Sequence, residues 1–279
     1  MDKNPFSLYD FLGYFIPGAF ALYLIVLVQN TNGIETYFKL ESIENLKYEI
    51  SLIYIIFFTI ISYILGHILS YISSSLIEKY TILIYGYPSK LLLGIKFKRD
   101  EYKAYPIILK LAMFILLFPL IFIDILFYKV FKIDKSYCKS LDKIYIVKIK
   151  EKIRHLFNED VKSLNFKKHD FHKFLIHYCY DKCLTHQSKL MNYVALYGFL
   201  RVISLILNFW CIYQLYNLLF KYELDLVNGS IIPLMFFILN CFLVYITYLS
   251  YLKFYRRYSQ ENLMVLLLIK EDNTEPNTI

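Results

Sequence analysis

Five long apolar runs constrain this chain more than any other feature of its sequence. They occupy residues 11–29, 51–77, 107–128, 193–220 and 231–252, close to or above the roughly 20 apolar residues with which a helix crosses a bilayer. Hydrophobic residues make up 58% of the chain, and the mean hydropathy of +0.45 lies outside the range of water-soluble domains. We therefore expect an all-α, polytopic integral membrane protein that is embedded in the lipid bilayer.

Polar segments between these runs divide the chain into four expected regions. An N-terminal membrane region (1–130) precedes a basic helical insert (131–190), a C-terminal helical hairpin (191–252) and a cytoplasmic tail (253–279). The tail contains an apolar stretch, Leu263–Ile269, before its polar end. The insert carries 14 of the 31 Lys and Arg residues, five of the six His and three of the five Cys. It is the most water-compatible part of the chain, and we expect a signal, ligand or partner to be recognised there.

The distribution of basic residues favours one of two topologies. Five spanning helices would divide these residues between the two sides of the membrane. If the run 107–128 instead bends at Pro119, dips and returns, 27 of the 31 Lys and Arg lie in the cytoplasm and three lie outside. We favour four spanning helices plus a re-entrant or interfacial hairpin, with a fifth span as the alternative. Both termini then lie on the cytoplasmic side of the membrane, which we expect to be the inner membrane of a bacterial cell.

The N-terminus and the cysteines agree with this orientation. Residues 1–20 lack the basic start and small-residue cleavage site of a secretory signal, so we expect a retained first helix. Pro17-Gly18 predicts a break or kink within that helix, because proline removes a backbone donor. The five Cys form no even framework and are expected to be reduced thiols.

Small and polar residues recur every three or four positions along the second run, which places them on one helical face. One interpretation is ordinary close packing between helices. The other is a face that lines a pore or a subunit contact in a homo-oligomer. The stripe comprises Thr59, Ser62, Gly66, His67, Ser70 and Ser74.

Three charged residues fall within or beside the apolar runs, where such groups usually face a protein interior, a cavity or each other. Arg201 has three interpretations: its long side chain reaches the interface, it pairs with Asp124 or Glu78, or it lines a water-filled vestibule.

The insert presents a basic face interleaved with aromatic residues. Lysines and aromatic rings in this pattern suit a nucleotide or a single-stranded oligonucleotide. Adhesion to an anionic membrane surface and the topology signal itself explain the same pattern. The residues of this face are Lys148, Lys150, Lys152, Arg154, Lys167 and Lys168.

Cysteine and histidine crowd the end of the insert. His172, Cys179, Cys183 and His186 share one face if the helix is continuous. Four ligands strung along about 21 Å of one helix cannot close on a single tetrahedral ion. A site would need Cys179 with Cys183, or Cys183 with His186, joined by ligands from elsewhere such as His155 or Cys138. We favour a helix with half-buried thiols over a metal site, and we expect no cofactor. Nucleotide-binding loops and hydrolase motifs are absent from the sequence, so nothing in it supports an enzyme.

Several short motifs resemble those of uncharacterised bacterial multi-pass membrane proteins, some of which accompany anti-phage defence systems. The residues that carry the resemblance are Tyr9–Tyr14 with Pro17-Gly18, Leu65–His67 with Ser73–Ser75, Gly86–Ser89, and Arg256–Glu261. The resemblance implies a small membrane effector that senses a nucleotide-type signal and permeabilises the inner membrane. It implies no catalytic or ligand-binding residue.

Three functional hypotheses follow. The first is an oligomeric, channel-like effector that the insert gates in response to a nucleotide-type or protein signal. The second is a structural membrane subunit that docks a cytoplasmic protein encoded nearby. The third is a membrane enzyme that uses His67, His155 or the histidine–cysteine group.

Overall fold

A computed structural model describes residues 10–30, 52–95, 106–131, 136–157, 171–220 and 231–269, all helices and short turns without a strand. We number the helices α1 (Phe11–Phe15 and Ile16–Asn30), α2 (Leu52–Ser73, Ser74–Glu78 and Lys79–Tyr85), α3 (Pro88–Leu92), α4 (Ile107–Leu116), α5 (Phe118–Phe131), α6 (Lys143–Leu156), α7 (Phe171–Lys182), α8 (Leu184–Phe220) and α9 (Ile231–Leu268). Among the described residues, four stretches are long and apolar enough to cross a membrane. These are Phe11–Val28, Leu52–Leu92, Leu184–Phe220 and Ile231–Leu268.

Helix α1 continues through Pro17 instead of breaking there. Its first turn, Phe11–Phe15, is a π-helix, and the regular α-helix begins at Ile16. Pro17 therefore lies just after a π-turn, in which backbone hydrogen bonds join residues five positions apart instead of four. The N–H that proline lacks falls where the hydrogen-bond pattern is already changing. The predicted break at Pro17-Gly18 is replaced by this π-turn.

Helix α2 also contains a π-turn, Ser74–Glu78, and then continues to Tyr85. Gly86 ends it with φ of +87°, a left-handed conformation that suits glycine because it has no Cβ. Pro88 then occupies the first position of α3, where its missing N–H would be unpaired in any case. The chain therefore passes from α2 to α3 through two residues, Gly86 and Tyr87.

Helices α4 and α5 form a bent pair, here called the hairpin, with an angle of 84° between the segments Lys110–Leu116 and Phe118–Tyr128. The break lies at Leu117, two residues before the predicted bend at Pro119. Proline is tolerated in the first turn of a helix but not in its interior, so the second arm begins at Phe118 and places Pro119 in that turn.

Helices α8 and α9 form a long antiparallel pair. Buried residues of α9, among them Val244, Tyr248 and Tyr251, recur every three or four positions and face α8. Both helices extend beyond the predicted region of 191–252, since α8 begins at Leu184 and α9 ends at Leu268. Helix α9 therefore continues past residue 252 and includes most of the apolar stretch Leu263–Ile269, in which Leu263, Val265 and Leu266 are buried.

Two apolar cores hold the molecule together. The larger one joins α2, the hairpin, α8 and the first part of α9. The smaller one joins the insert to the end of α9, because α6 and α7 pack on the last turns of that helix. Its buried residues are Leu92, Leu93, Ile149, Ile153, Phe171, Leu175, Cys179, Leu263, Val265 and Leu266.

Candidate functional site

Asp124 lies in a cage of tyrosine hydroxyls between the hairpin, α2 and α9. Tyr80 and Tyr85 each donate a hydrogen bond of 2.8 Å to Oδ2, and Tyr85 also lies 3.0 Å from Oδ1. The Tyr245 hydroxyl lies 3.5 Å from Oδ1. The carboxyl residue is only 3% exposed. Because phenols are neutral donors, this cage solvates the carboxylate without neutralising its charge.

A cavity of about 470 Å³ adjoins this cage. Residues from both arms of the hairpin line it, including Lys110 from α4 and Asp124 and Tyr128 from α5. Tyr80 and Tyr85 of α2 complete its polar side. A volume of this size is typical of sites for small ligands, and here a buried acid and a lysine line the same space.

Arg201 forms a buried ion pair with Glu78. Its Nη1 donates to the Glu78 carboxylate, and its Nε donates to Ser73 Oγ at 3.2 Å. Arg201 is 8% exposed, so it does not extend to the surface. Glu78 ends the π-turn of α2, which brings it toward α8. Of the predicted arrangements, the structure shows the pair with Glu78, whereas Asp124 is bound by tyrosines instead of Arg201.

Asn208 of α8 bridges the break between the two helices of the hairpin. Its Nδ2 donates to the Leu116 carbonyl at 2.7 Å, and the Leu120 N–H donates to its Oδ1 at 3.2 Å. In an unbroken helix, that carbonyl and that N–H would bond to each other. The side-chain amide thus satisfies two backbone groups that would be costly to leave unpaired in an apolar environment.

The predicted stripe on α2 divides into packed and exposed residues. A Cβ added to Gly66 would lie 1.9 Å from the Tyr14 carbonyl oxygen, and one added to Gly18 would lie 1.8 Å from the Ser62 carbonyl oxygen. The backbones of α1 and α2 are therefore in contact at Gly66 and Ser62, where the stripe serves packing within one chain. Ser70 and Ser74 are half-buried further along α2.

Thr59 and His67 flank this contact. Thr59 is exposed and donates to the Ile55 carbonyl of its own helix. The His67 ring stacks on Tyr14 with centroids 3.8 Å apart and meets Tyr63 edge-on. His67 therefore adds a ring contact between α2 and α1, while Thr59 bonds within α2.

The basic face of the insert is partly described. Lys148 is exposed on α6, while Lys150, Lys152 and Arg154 are half-buried. Burial and the adjacent charge of Arg154 lower the pKa of Lys150. Lys152 donates to the Ile269 carbonyl at the end of α9. Lys167 and Lys168 lie outside the described residues.

The histidine and cysteine residues of the insert do not converge. Helix α7 ends at Lys182 and α8 begins at Leu184, so the set is divided at Cys183 instead of lying on one helix. Cys179 contacts the Asn262 carbonyl at 3.4 Å, and burial raises the pKa of its thiol to about 12. His186 lies 3.4 Å from Glu261. Within the described residues, no group of three or more such side chains is placed to hold a metal ion.

Sequence reasoning did not identify the tyrosines of the cage or Asn208. The tyrosines are three among 28 in the chain, and nothing in their local pattern separates them from the others. Asn208 did carry a signal, since several uncharged polar residues interrupt the apolar run of α8. Those that are buried are Ser204, Asn208, Gln214 and Asn217.

Comparisons with protein-family models, curated proteins and solved structures found no match. The resemblance to defence-associated effectors therefore stays a prediction.

Proposed function

We propose that this chain is an integral membrane protein of the bacterial inner membrane, with four spanning helices and a re-entrant hairpin. The arms of the hairpin contain 10 and 14 residues, about 15 and 21 Å of helix against a hydrocarbon core of roughly 30 Å. Lys110 and Tyr128, from opposite arms, line one cavity beside the cytoplasmic end of α2. Cysteines introduced at Lys98 and Ser140 should then both label from the cytoplasmic side, and one at Lys221 from outside.

Within that membrane placement, we infer a channel-like effector, acting as a homo-oligomer, that the insert gates. The observation that carries this inference is the continuity of α9. This single helix of 38 residues, about 57 Å long, contributes Tyr245 to the Asp124 cage and Leu263 and Leu266 to the core of the insert. A signal that moves α6 and α7 would therefore also move the Asp124 cage, because the continuous helix α9 connects the two.

The electrostatics of α6 favour an anionic signal. Lys150 and Arg154 lie one turn apart, and burial together with the positive charge of Arg154 lowers the pKa of Lys150. An anion such as a nucleotide phosphate would reduce the repulsion between these two charges. We propose that the signal is a nucleotide or oligonucleotide and that the response is membrane permeabilisation during anti-phage defence.

Potassium efflux from liposomes tests this function. The purified full chain is reconstituted and exposed to a panel of cyclic and linear oligonucleotides. We expect one class to raise efflux about tenfold or more, and we expect Lys150→Gln to abolish the response because it removes a phosphate contact. Lys182→Gln, an exposed lysine at the end of α7, is the matched control.

Two results would overturn the proposal. One is efflux that no oligonucleotide changes. The other is a chain without conductance that co-purifies with one stoichiometric cytoplasmic protein, which selects the structural-subunit hypothesis instead. The packing of α6 and α7 on α9 also suits that second function, since α9 would then hold these two helices as the binding surface for the partner.

A further inference from the structure

The cavity beside Asp124 opens sideways between apolar side chains. Its lining includes Ile84, Phe114 and Ile125, which are 46%, 59% and 69% exposed. In the proposed membrane placement, side chains exposed to this degree face lipid. A molecule entering by this route needs an apolar body at the rim and a polar group at the inner end, which describes an amphiphile.

The lining of the cavity includes both signs of charge. The hydrogen-bond partners of Asp124 are neutral phenols, which donate to a carboxylate but supply no counter-charge to it. Lys110 supplies a positive charge from the opposite arm of the hairpin. An occupant with an ammonium and a phosphate would complement both groups.

We propose that this cavity binds the headgroup of a phospholipid that carries a primary ammonium, such as phosphatidylethanolamine. The ammonium lies at the Asp124 cage, the phosphate at Lys110, and the acyl chains pass between Ile84, Phe114 and Ile125. A primary ammonium has three N–H donors for the carboxylate and the phenol oxygens, whereas a trimethylated one has none. This proposal rests on the membrane placement above and is independent of conduction.

Native mass spectrometry of the detergent-purified full chain tests the proposal. Phosphatidylethanolamine, its N-methyl and N,N-dimethyl derivatives, phosphatidylcholine and phosphatidylglycerol are added at equal concentration. We expect about tenfold preference for phosphatidylethanolamine over phosphatidylcholine, with retention falling as methyl groups replace N–H donors. The methylation series uses the unaltered protein, so it remains informative even if a variant fails to fold.

Variants then assign the contacts. Asp124→Asn should lower retention of phosphatidylethanolamine about tenfold and leave phosphatidylglycerol unchanged, because only the former brings an ammonium. Lys110→Gln should weaken both lipids, while Lys182→Gln should weaken neither. Equal retention across the methylation series overturns the proposal, as does Asp124→Asn with unchanged selectivity. Stabilisation by potassium ions alone, without lipid, would replace it with a simple cation site.

The lipid and efflux experiments fail independently. Retention of phosphatidylethanolamine without oligonucleotide-dependent efflux leaves the lipid site standing and rejects the gated channel. Efflux without lipid selectivity does the reverse.

Discussion

Between Leu52 and Ile72, helix α2 meets α1 through backbone and small side chains, whereas between Ser73 and Tyr85 it meets its neighbours through buried charges and hydroxyls. In the first half, Gly66 lets the two backbones touch. In the second half, Glu78 pairs with Arg201 and the Tyr80 and Tyr85 hydroxyls bind Asp124. Shape fixes the first contact and electrostatics the second, so substitutions in the two halves should fail in different ways.

The largest effect is expected at the contact of α1 with α2. Gly66→Ala places a methyl group 1.9 Å from the Tyr14 carbonyl oxygen, which forces the helices apart. We expect a loss of about 3 kcal/mol in thermal unfolding of the detergent-purified protein. Gly198→Ala is the control, because a Cβ there has no atom within 4 Å, and it should gain about 0.5–1 kcal/mol from helix propensity. Equal midpoints of thermal unfolding for both variants would show that the two helices separate enough to accommodate the methyl group at little cost.

The ion pair of the second half should be nearly as sensitive, but it can be rescued. Glu78→Gln leaves Arg201 buried without a counter-charge, at an expected cost of about 3 kcal/mol. Adding Arg201→Gln removes the unpaired charge and should restore part of that loss. A double variant as unstable as the sum of the single ones would contradict a direct pair. No second substitution of this kind should rescue Gly66→Ala, since a steric clash has no charge to remove.

The sequence predicted the parts of this arrangement that depend on local pattern. The apolar runs located the long helices, Pro119 marked the bend of the hairpin to within two residues, and Arg201 and Glu78 were among the charges singled out. It could not decide that Arg201 pairs with Glu78 and not with Asp124. That choice depends on the π-turn at Ser74–Glu78 and on the register between α2 and α8, which are tertiary properties.

A smaller effect is expected where α8 supports the hairpin. Asn208→Ala removes both hydrogen bonds to the broken backbone, leaving the Leu116 carbonyl and the Leu120 N–H without this side-chain partner. We expect a loss of about 2 kcal/mol in the same unfolding measurement. Asn192→Ala, at an exposed position of the same helix, should change stability by less than about 0.5 kcal/mol. If the two variants behave alike, the break in the hairpin is stabilised by its own residues.

The smallest effect separates two hydroxyls of α2 itself. Ser73→Ala removes the acceptor of the Arg201 Nε–H and should cost about 1 kcal/mol, because a buried charged donor loses one partner. Thr59→Val removes a hydroxyl that is exposed and bonds only to the Ile55 carbonyl of its own turn, so stability should change by less than about 0.3 kcal/mol. In a Glu78→Gln background, Ser73→Ala should cost more, since Arg201 has then lost both its counter-charge and the Ser73 acceptor. An unchanged cost there would mean that Arg201 has another partner, and that charge pairing does not hold the second half of α2.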